Sequence, residues 1–261
     1  MKQIGHLQKM KVEYGNPLEY SLILDNEPYP INVYIGQRIT IEFLGEIHCN
    51  ACKKSILKSY NQGYCYQCFK VLAANDRCMM APEHCHYDKG TCREPNWGMS
   101  FCMKPHVVYL AWTSGYKVGL SRLSQYQTRW MDQGATHAVA ICQVETRKDA
   151  GIMEDYLRTW YRDRTQWKSM IQMPIQDIDI LKEAEKLTTH LQKFEPVLMP
   201  KKVHHFHYPV EAIGALETLS LDKQKSISGY LLGIKGQYLI LDTGVINIRK
   251  HGSYLVKVTI D

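Results

Sequence analysis

Nine cysteines hold the most evident chemistry of this 261-residue chain. Four of them form two pairs, Cys49-Asn50-Ala51-Cys52 and Cys65-Tyr66-Gln67-Cys68, with twelve residues between the pairs. Two residues between cysteines let both sulfurs face one ion from a single tight turn. Two such turns supply the four thiolates of a closed, tetrahedral structural zinc site. Gly63 stands just before the second pair, where such a turn has use for it. A redox pair would ordinarily stand alone beside a βαβ pattern, which this stretch lacks; iron is the alternative metal. A second group, Cys78, Cys85, Cys92 and Cys102, is unevenly spaced, with His84, His86 and His106 interspersed as alternative ligands. So many soft donors in so short a stretch predict a second Zn²⁺. Cys142, inside the apolar run Ala138-Val139-Ala140-Ile141, is expected to be a core thiol.

A different chemistry is suggested by residues 107–163. Tyr109, Lys117 with Gly119, Arg122, Arg129 and Glu154 with Arg158 are the groups a phosphoryl-transfer site would use. Such a site activates water, neutralises the scissile phosphate and holds a divalent metal. Each residue also has a plainer reading. Tyr109 alternates within an apolar strand and suits a core. Glu154 and Arg158 have the i,i+4 spacing of an ordinary helical ion pair, and Arg129 suits a solvated helix face. The tract His204-His205-Phe206-His207 reads as a wet strand edge. Asp163-Arg164 with Trp167 reads as the anchor of a helix end.

These residues must be positioned by recognisable elements. Leu18–Leu24 and Arg38–Leu44 are strand-like, with the turn-rich Asp25–Pro30 between them. His106–Trp112, Thr113-Ser114-Gly115 and Tyr116–Leu120 predict a hairpin. Ser124–Met131 predicts a helix capped by Ser124 and stopped by Gly134, and Thr136–Val144 a third strand. A helix from Asp149 carries Ile152, Met153, Tyr156, Leu157, Trp160 and Tyr161 as one stripe, and another covers Ile178–Leu191. Four further strands follow from Tyr230 to Val258, with Asp242-Thr243-Gly244 as the clearest hairpin turn; a small antiparallel sheet or barrel is expected.

Val108-Tyr109-Leu110 followed by Lys117-Val118-Gly119 resembles the signature of the GIY-YIG nucleases. Arg129-Trp130 is similar to that family's helix-borne arginine, and Glu154 within Gly151–Leu157 to its metal-binding glutamate. The resemblance implies that Tyr109 and a water handle protons, Arg129 steadies the phosphate and Glu154 holds Mg²⁺. Lys117 and Arg122, taken from the residue set above and not from the resemblance, complete the expected catalytic set. The chain departs from the pattern in four respects. Val108 replaces the first glycine and Lys117 the second tyrosine, and the motifs are joined by only six residues. No asparagine occurs between Asn96 and Asn247 to match the late catalytic one. Lys117 could hold a phosphate, or act as a base with a lowered pKa. Nearly the whole chain is also similar to an uncharacterised bacterial family of unknown function. The matching stretches are Gly45–Cys49, Cys85-His86-Tyr87, Gly90–Pro95, Trp97-Gly98, Lys117–Gly119, Asp163–Trp167 and Gly236-Gln237-Tyr238.

The expected fold class is therefore α+β, in four regions. They are an N-terminal β region (1–45), a zinc-binding module of zinc-ribbon type (46–106), a GIY-YIG-like ββαβα domain with trailing helices (107–200) and a C-terminal small antiparallel β domain (201–261). No apolar run approaches the roughly 18 residues of a membrane span, and the N-terminus lacks a secretory apolar stretch. A cytoplasmic protein with no membrane partner is expected. The net charge of +6 is diffuse: base exceeds acid by two over 1–106, one over 107–200 and three over 201–261. Two Zn²⁺ on eight thiolates would leave about +2, so nucleic-acid binding needs a local patch. Lys53, Lys54 and Lys58, and Arg249, Lys250 and His251, are the best phosphate contacts. The expected function is a zinc-containing protein that binds DNA or RNA. Whether it also cleaves phosphodiesters, as a GIY-YIG-like endonuclease with Mg²⁺, stays open. A non-catalytic nucleic-acid binder and a zinc-organised adaptor for a protein partner are the alternatives.

Overall fold

The computed structural model describes every residue except Pro174, Ile175 and Asp177. The chain opens on β1 (Lys2–His6), β2 (Lys11–Glu13), β3 (Glu19–Leu24), β4 (Glu27–Pro30), β5 (Arg38–His48) and β6 (Ser55–Ile56). Helices α1 (Tyr66–Val71) and α2 (Pro95–Phe101) flank a run of single-turn helices. Next come β7 (His106–Trp112), β8 (Tyr116–Arg122), α3 (Tyr126–Asp132), β9 (His137–Val144) and α4 (Arg147–Leu157). Helices α5 (Trp167–Gln172) and α6 (Ile180–Leu191) precede β10 (Val197–Leu198) and β11 (Val203–His205). The chain closes on β12 (Thr218–Leu219), β13 (Ser226–Lys235), β14 (Tyr238–Leu241), β15 (Gly244–Asn247) and β16 (Tyr254–Ile260). The fold is mixed α+β, and among the described residues no helix is long and apolar enough to cross a membrane.

Met1–Lys70 with His207–Asp261 form one compact unit, and Val71–Phe206 the other. In the first, an eight-stranded sheet runs β1-β16-β5-β13-β14-β15-β12 with β6 added on β5, while β2-β3-β4 form a sheet of their own. Strands from both chain ends thus share one sheet, Lys2 lying opposite Thr259. Alternation sets the core: Ile39 and Ile41 of β5 and Tyr254, Val256, Val258 and Ile260 of β16 are buried, as the period of two dictates. The turn Asp242-Thr243 joins β14 to β15 as expected, with Leu241 opposite Gly244. The C-terminal strands are not an antiparallel sheet of their own, however. β12 joins β15 in parallel, and β13 and β16 both pair with β5, whose eleven residues offer two edges.

The second unit is built on the antiparallel order β10-β9-β7-β8, with β11 also on β9. One face carries Val108, Leu110, Val118 and Leu120, packed against Ala150, Met153 and Leu157 of α4 and Ile180, Ala184, Leu187 and Leu191 of α6. Cys142 is fully buried in this core. On the other face the Tyr109 ring meets Trp130 of α3 edge-on at 5.7 Å.

Several helix boundaries differ from expectation for local reasons. Helix α3 begins at Tyr126 with no side-chain cap, because Ser124 lies in a turn closed by the Gln125 amide on Arg122 O; Gly134 does end it, at φ +75°. Helix α4 begins two residues before Asp149. The Asp149 amide donates to Thr146 Oγ1 at 3.2 Å and the Thr146 hydroxyl to the Asp149 carboxylate at 2.6 Å, a reciprocal cap. It ends at Leu157, so Trp160 and Tyr161 lie beyond it and Trp160 stacks on His190 at 4.2 Å. Helix α6 starts at Ile180, capped by Asp179. His204 and His205 lie on or beside the short outer strand β11, and Phe206 turns into the core.

Candidate metal centres and a buried charged cluster

The sulfurs of Cys49, Cys52, Cys65 and Cys68 all lie within 4.8 Å of one another. Cys52 and Cys65 are 3.8 Å apart, about the edge of a tetrahedron with metal–sulfur bonds of 2.3 Å. The turns are built for this. The Cys65 amide donates to the Cys49 sulfur at 3.2 Å and the Cys68 amide to the Cys65 sulfur at 3.4 Å. Gly63 adopts φ +118° where a Cβ would come 2.2 Å from the Asn50 side-chain nitrogen, and that nitrogen donates to Gln62 O. Burial opposes ionisation of Cys49, but the amides of Cys65, Cys52 and Ala51 outweigh it and bring this thiol down to about 6. Hydrogen bonding from Cys65, with burial, pushes Cys68 up to about 12. Four such thiols ionise together only around a cation, so this donor set fits a metal ion.

The second group is gathered differently. Cys78, Cys85, Cys92 and Cys102 wall one small cavity of about 10 Å³ together with Asp76 and His86. Of these, Asp76, Cys78 and His86 have ligand atoms within 4.8 Å of one another, so this group too could hold an ion. Burial pushes Cys78 up to about 12 and Cys102 up to about 11. Asp76 is held by Arg93 at 2.8 Å. His86 faces Asp76 through Nε2 at 3.5 Å and pairs its Nδ1 with Thr91 Oγ1 at 2.8 Å. The other two histidines do not line the cavity. His84 is 63% exposed. His106 is buried with Nδ1 on Lys104 O, and burial lowers it to about 4.

The central residues converge at the β7–β8 edge. Tyr109 pairs with Gly119 in register, and a Cβ at Gly119 would come within 2.5 Å of the phenol oxygen. The Gln133 amide bridges to α3: its nitrogen donates to Tyr109 at 3.0 Å while its oxygen accepts from Arg129 Nε at 2.8 Å and Nη2 at 3.1 Å. Burial pushes Tyr109 up to about 12 and Glu154 up to about 7, and lowers Lys117 to about 8. The charges of Arg129 and Glu154 act on both Tyr109 and Lys117, which brings these four together. Lys117 Nζ donates to Thr165 at 3.4 Å. The expected Glu154–Arg158 pair does not form: Arg158 binds Asp155, Glu83 and Asp163. The Glu154 carboxylate enters no hydrogen bond or ion pair among the described residues, although its backbone carbonyl accepts the Arg158 amide at 3.0 Å. Arg122 lies elsewhere. It stacks on Phe101 at 4.0 Å and binds Gln125, since its side chain leaves β8 on the face opposite Lys117.

The profile of the family described as a protein of unknown function (DUF2797) matches residues 36–256. The chain belongs to this family. No curated protein and no solved structure matches it. In this DUF2797 chain the matched span takes in both cysteine groups and the Tyr109–Glu154 cluster. Three contributors were not evident in the sequence. Asp76, two residues before Cys78, was legible only as an acid near a cysteine. Gln133 and Arg147 carry no spacing signal, because they reach their partners through packing of α3 and α4. Among the basic residues expected on phosphates, Lys53, Lys54 and Lys58 are exposed. Arg249 instead binds Gln62 at 2.7 Å and Lys250 pairs with Asp222 at 3.5 Å. His251 is buried and accepts the Leu221 amide at 3.1 Å.

Proposed function

We infer that this protein is a zinc-containing nucleic-acid-binding protein whose Val71–Phe206 unit handles phosphodiesters at the Tyr109, Lys117, Arg129 and Glu154 cluster. The observation that carries the reading is Glu154: a half-buried carboxylate in no ion pair, on which the charges of Lys117, Arg158 and Arg147 act and whose own charge acts on Tyr109. Such a carboxylate suits a divalent cation, and Mg²⁺ usually takes one or two carboxylates with substrate phosphates and water. The GIY-YIG resemblance supplies the same four positions, on a hairpin whose first strand also pairs with the third. In the active form of this reading Glu154 would hold Mg²⁺, which polarises the phosphate. Arg129, oriented by Gln133, would steady its charge, and Lys117, lowered to about 8, would hold the phosphate or accept a proton.

An open cleft of about 620 Å³ lined by Arg158–Gln166 adjoins this cluster. It is joined to β8 by the Val118 amide on Arg162 O at 2.9 Å. Arg162 and Arg164 are exposed and enter no ion pair among the described residues, so they suit successive backbone phosphates. A non-catalytic binder is the second reading. It is favoured by the depth of Tyr109, 1% exposed with its phenol pushed up to about 12, which makes it a poor proton acceptor at neutral pH. The structural metal in both readings is Zn²⁺ at the Cys49–Cys68 centre.

The test is a binding and cleavage screen on single-stranded, duplex and folded DNA and RNA with Mg²⁺, Mn²⁺ or neither. Cleavage that vanishes in Glu154→Gln, with zinc content unchanged, supports the active form. Metal-independent binding without turnover supports the binder. Arg162→Ala/Arg164→Ala should then lower the magnitude of the log–log salt slope by about 2. No binding at low salt would overturn both readings and favour a protein partner.

A further inference from the structure

The segment that walls the second cysteine cavity is also the bed of the helix that carries Glu154. Gly151 of α4 lies so close to this segment that a Cβ would come within 2.6 Å of Pro82 Cβ and the Glu83 amide nitrogen. At the start of α4, the Arg147 amide donates to Cys102 O at 2.8 Å and its guanidinium to Met79 O at 2.9 Å. Lys148 reaches Asp88 at 3.0 Å, and Arg158, just past the helix, reaches Glu83 at 3.3 Å. The points of attachment are thus Met79, Pro82-Glu83, Asp88 and Cys102. They alternate along the chain with Cys78, Cys85, His86 and Cys92. Between Asp76 and Gly90 this bed has only single-turn helices at Arg77–Met79, Pro82–His84 and Tyr87–Lys89. Its backbone hydrogen bonds, such as Met79 N on Asp76 O and Cys85 N on Pro82 O, close only local turns, so a cross-link would fix how these turns sit against one another.

We propose that the cavity holds a second Zn²⁺, taken by Cys78 and His86, whose ligand atoms lie within 4.8 Å of one another, and closed by the wall thiols Cys85 and Cys102, and that this ion is the clamp that fixes α4 and thereby Glu154. Cys85 and Cys102 are the buried thiols of the wall, 7% and 4% exposed, and both act electrostatically on Cys78. His86 is preset as a ligand: with Nδ1 on Thr91, its Nε2 is the nitrogen that faces Asp76 and Cys78, the outer hydrogen bond that orients metal-bound imidazoles. Asp76, on the same side of the imidazole as Cys78, is already paired with Arg93. On binding, three thiols release their protons to solvent and form zinc–sulfur bonds, with no change of oxidation state. Three thiolates and Zn²⁺ leave one negative charge, and Arg147 and Arg122 beside Cys102 offset it. Arg122 thereby gains a setting outside the phosphodiester cluster.

This inference does not depend on nucleic-acid binding, and its test reads metal and backbone motion. Zinc content is measured on the full chain, on Cys78→Ser and on Cys52→Ser, with amide exchange followed across 147–157. The proposal expects two zincs in the parent and one in each variant. It expects exchange in 147–157 to quicken on the order of tenfold in Cys78→Ser and to stay unchanged in Cys52→Ser. A parent with one zinc, or Cys78→Ser with two, overturns the site. Loss of zinc with unchanged exchange overturns the clamp. Should Cys78→Ser fail to fold, Co²⁺ titration of zinc-free Cys52→Ser decides. One equivalent giving sulfur-to-cobalt charge transfer and tetrahedral bands, displaced by Zn²⁺, supports the site, and their absence overturns it.

Discussion

The two cysteine groups use the same atoms and are assembled by opposite means. At Cys49–Cys68 each pair of sulfurs comes from one turn, fixed by amide-to-sulfur bonds and by Gly63 at φ +118°. At Cys78–Cys102 no two cysteines share a tight turn, and Asp76 and His86 enter the set. Those donors meet because α2 and α4 press on the loop that bears them: a Cβ on Gly98 of α2 would come 3.2 Å from the Cys92 sulfur, and Gly151 lies on Pro82. The first centre is a property of local sequence, whereas the second is a property of packing. The Tyr109–Glu154 cluster belongs with the second, since its members come from two strands and two helices.

The largest expected effect breaks the local centre. Cys52→Ser leaves three thiols around a metal position built for four. Loss of a structural metal belongs among the changes that cost more than about 4 kcal/mol. The Met1–Lys70 and His207–Asp261 unit should lose its zinc and melt on the order of 10 °C lower, seen by calorimetry and metal analysis. The other unit should keep its own transition. Zinc retained at parental affinity would show that the turns are not what holds the ion.

The same division explains what could be read before any coordinates. The β7–β8 hairpin, β9, the core position of Cys142 and the turn Asp242-Thr243 follow from periodicity and turn chemistry, which act over a few residues. The gathering of Cys49, Cys52, Cys65 and Cys68 follows from spacing for the same reason. Pairing over long distances left no such trace. Nothing in Arg38–His48 announces that both edges of β5 will be taken by C-terminal strands. Nothing near Arg122 tells that its face of β8 turns from Lys117 towards Phe101. The start of α4 lay ahead of the apparent one because Thr146 caps it with Asp149, whereas α3 and α6 began later than their apparent starts.

A pH series on folding sharpens the packing side of the comparison. Burial raises Glu154 from 4.5 to about 7, so the folded state binds this proton more tightly than the unfolded chain. Its contribution is fully present below about pH 4.5 and is lost as pH rises through about 7. Lys117 is lowered from 10.5 to about 8, so the folded state binds its proton less tightly and stability returns between about pH 8 and 10.5. The Val71–Phe206 unit should therefore be least stable between about pH 7 and 8 in magnesium-free buffer. Glu154→Gln should flatten the limb from about pH 4.5 to 7, a difference of about 3 kcal/mol or less. Denaturant midpoints at pH 5 and 7.5 measure it. Equal slopes in parent and variant would mean that packing does not isolate this carboxylate.

The smallest effect separates the two kinds of centre most finely. Gly151→Ala adds one methyl where Pro82 and Glu83 leave no room, at 2.6 Å, and overpacking of this kind costs about 1–3 kcal/mol. A helix interior by itself favours alanine over glycine by about 1 kcal/mol, so a net loss of stability reports the contact with the loop and not the helix. The atoms the methyl meets first belong to Pro82 and Glu83, not to a cysteine. If the second donor set is held together by α4, zinc at that set should nonetheless leave faster to a chelator, while the Cys49–Cys68 ion leaves at its parental rate. Equal acceleration at both would signal general loosening of the chain. No acceleration at either would mean that the loop keeps its shape without the helix, and that the second centre is as local as the first.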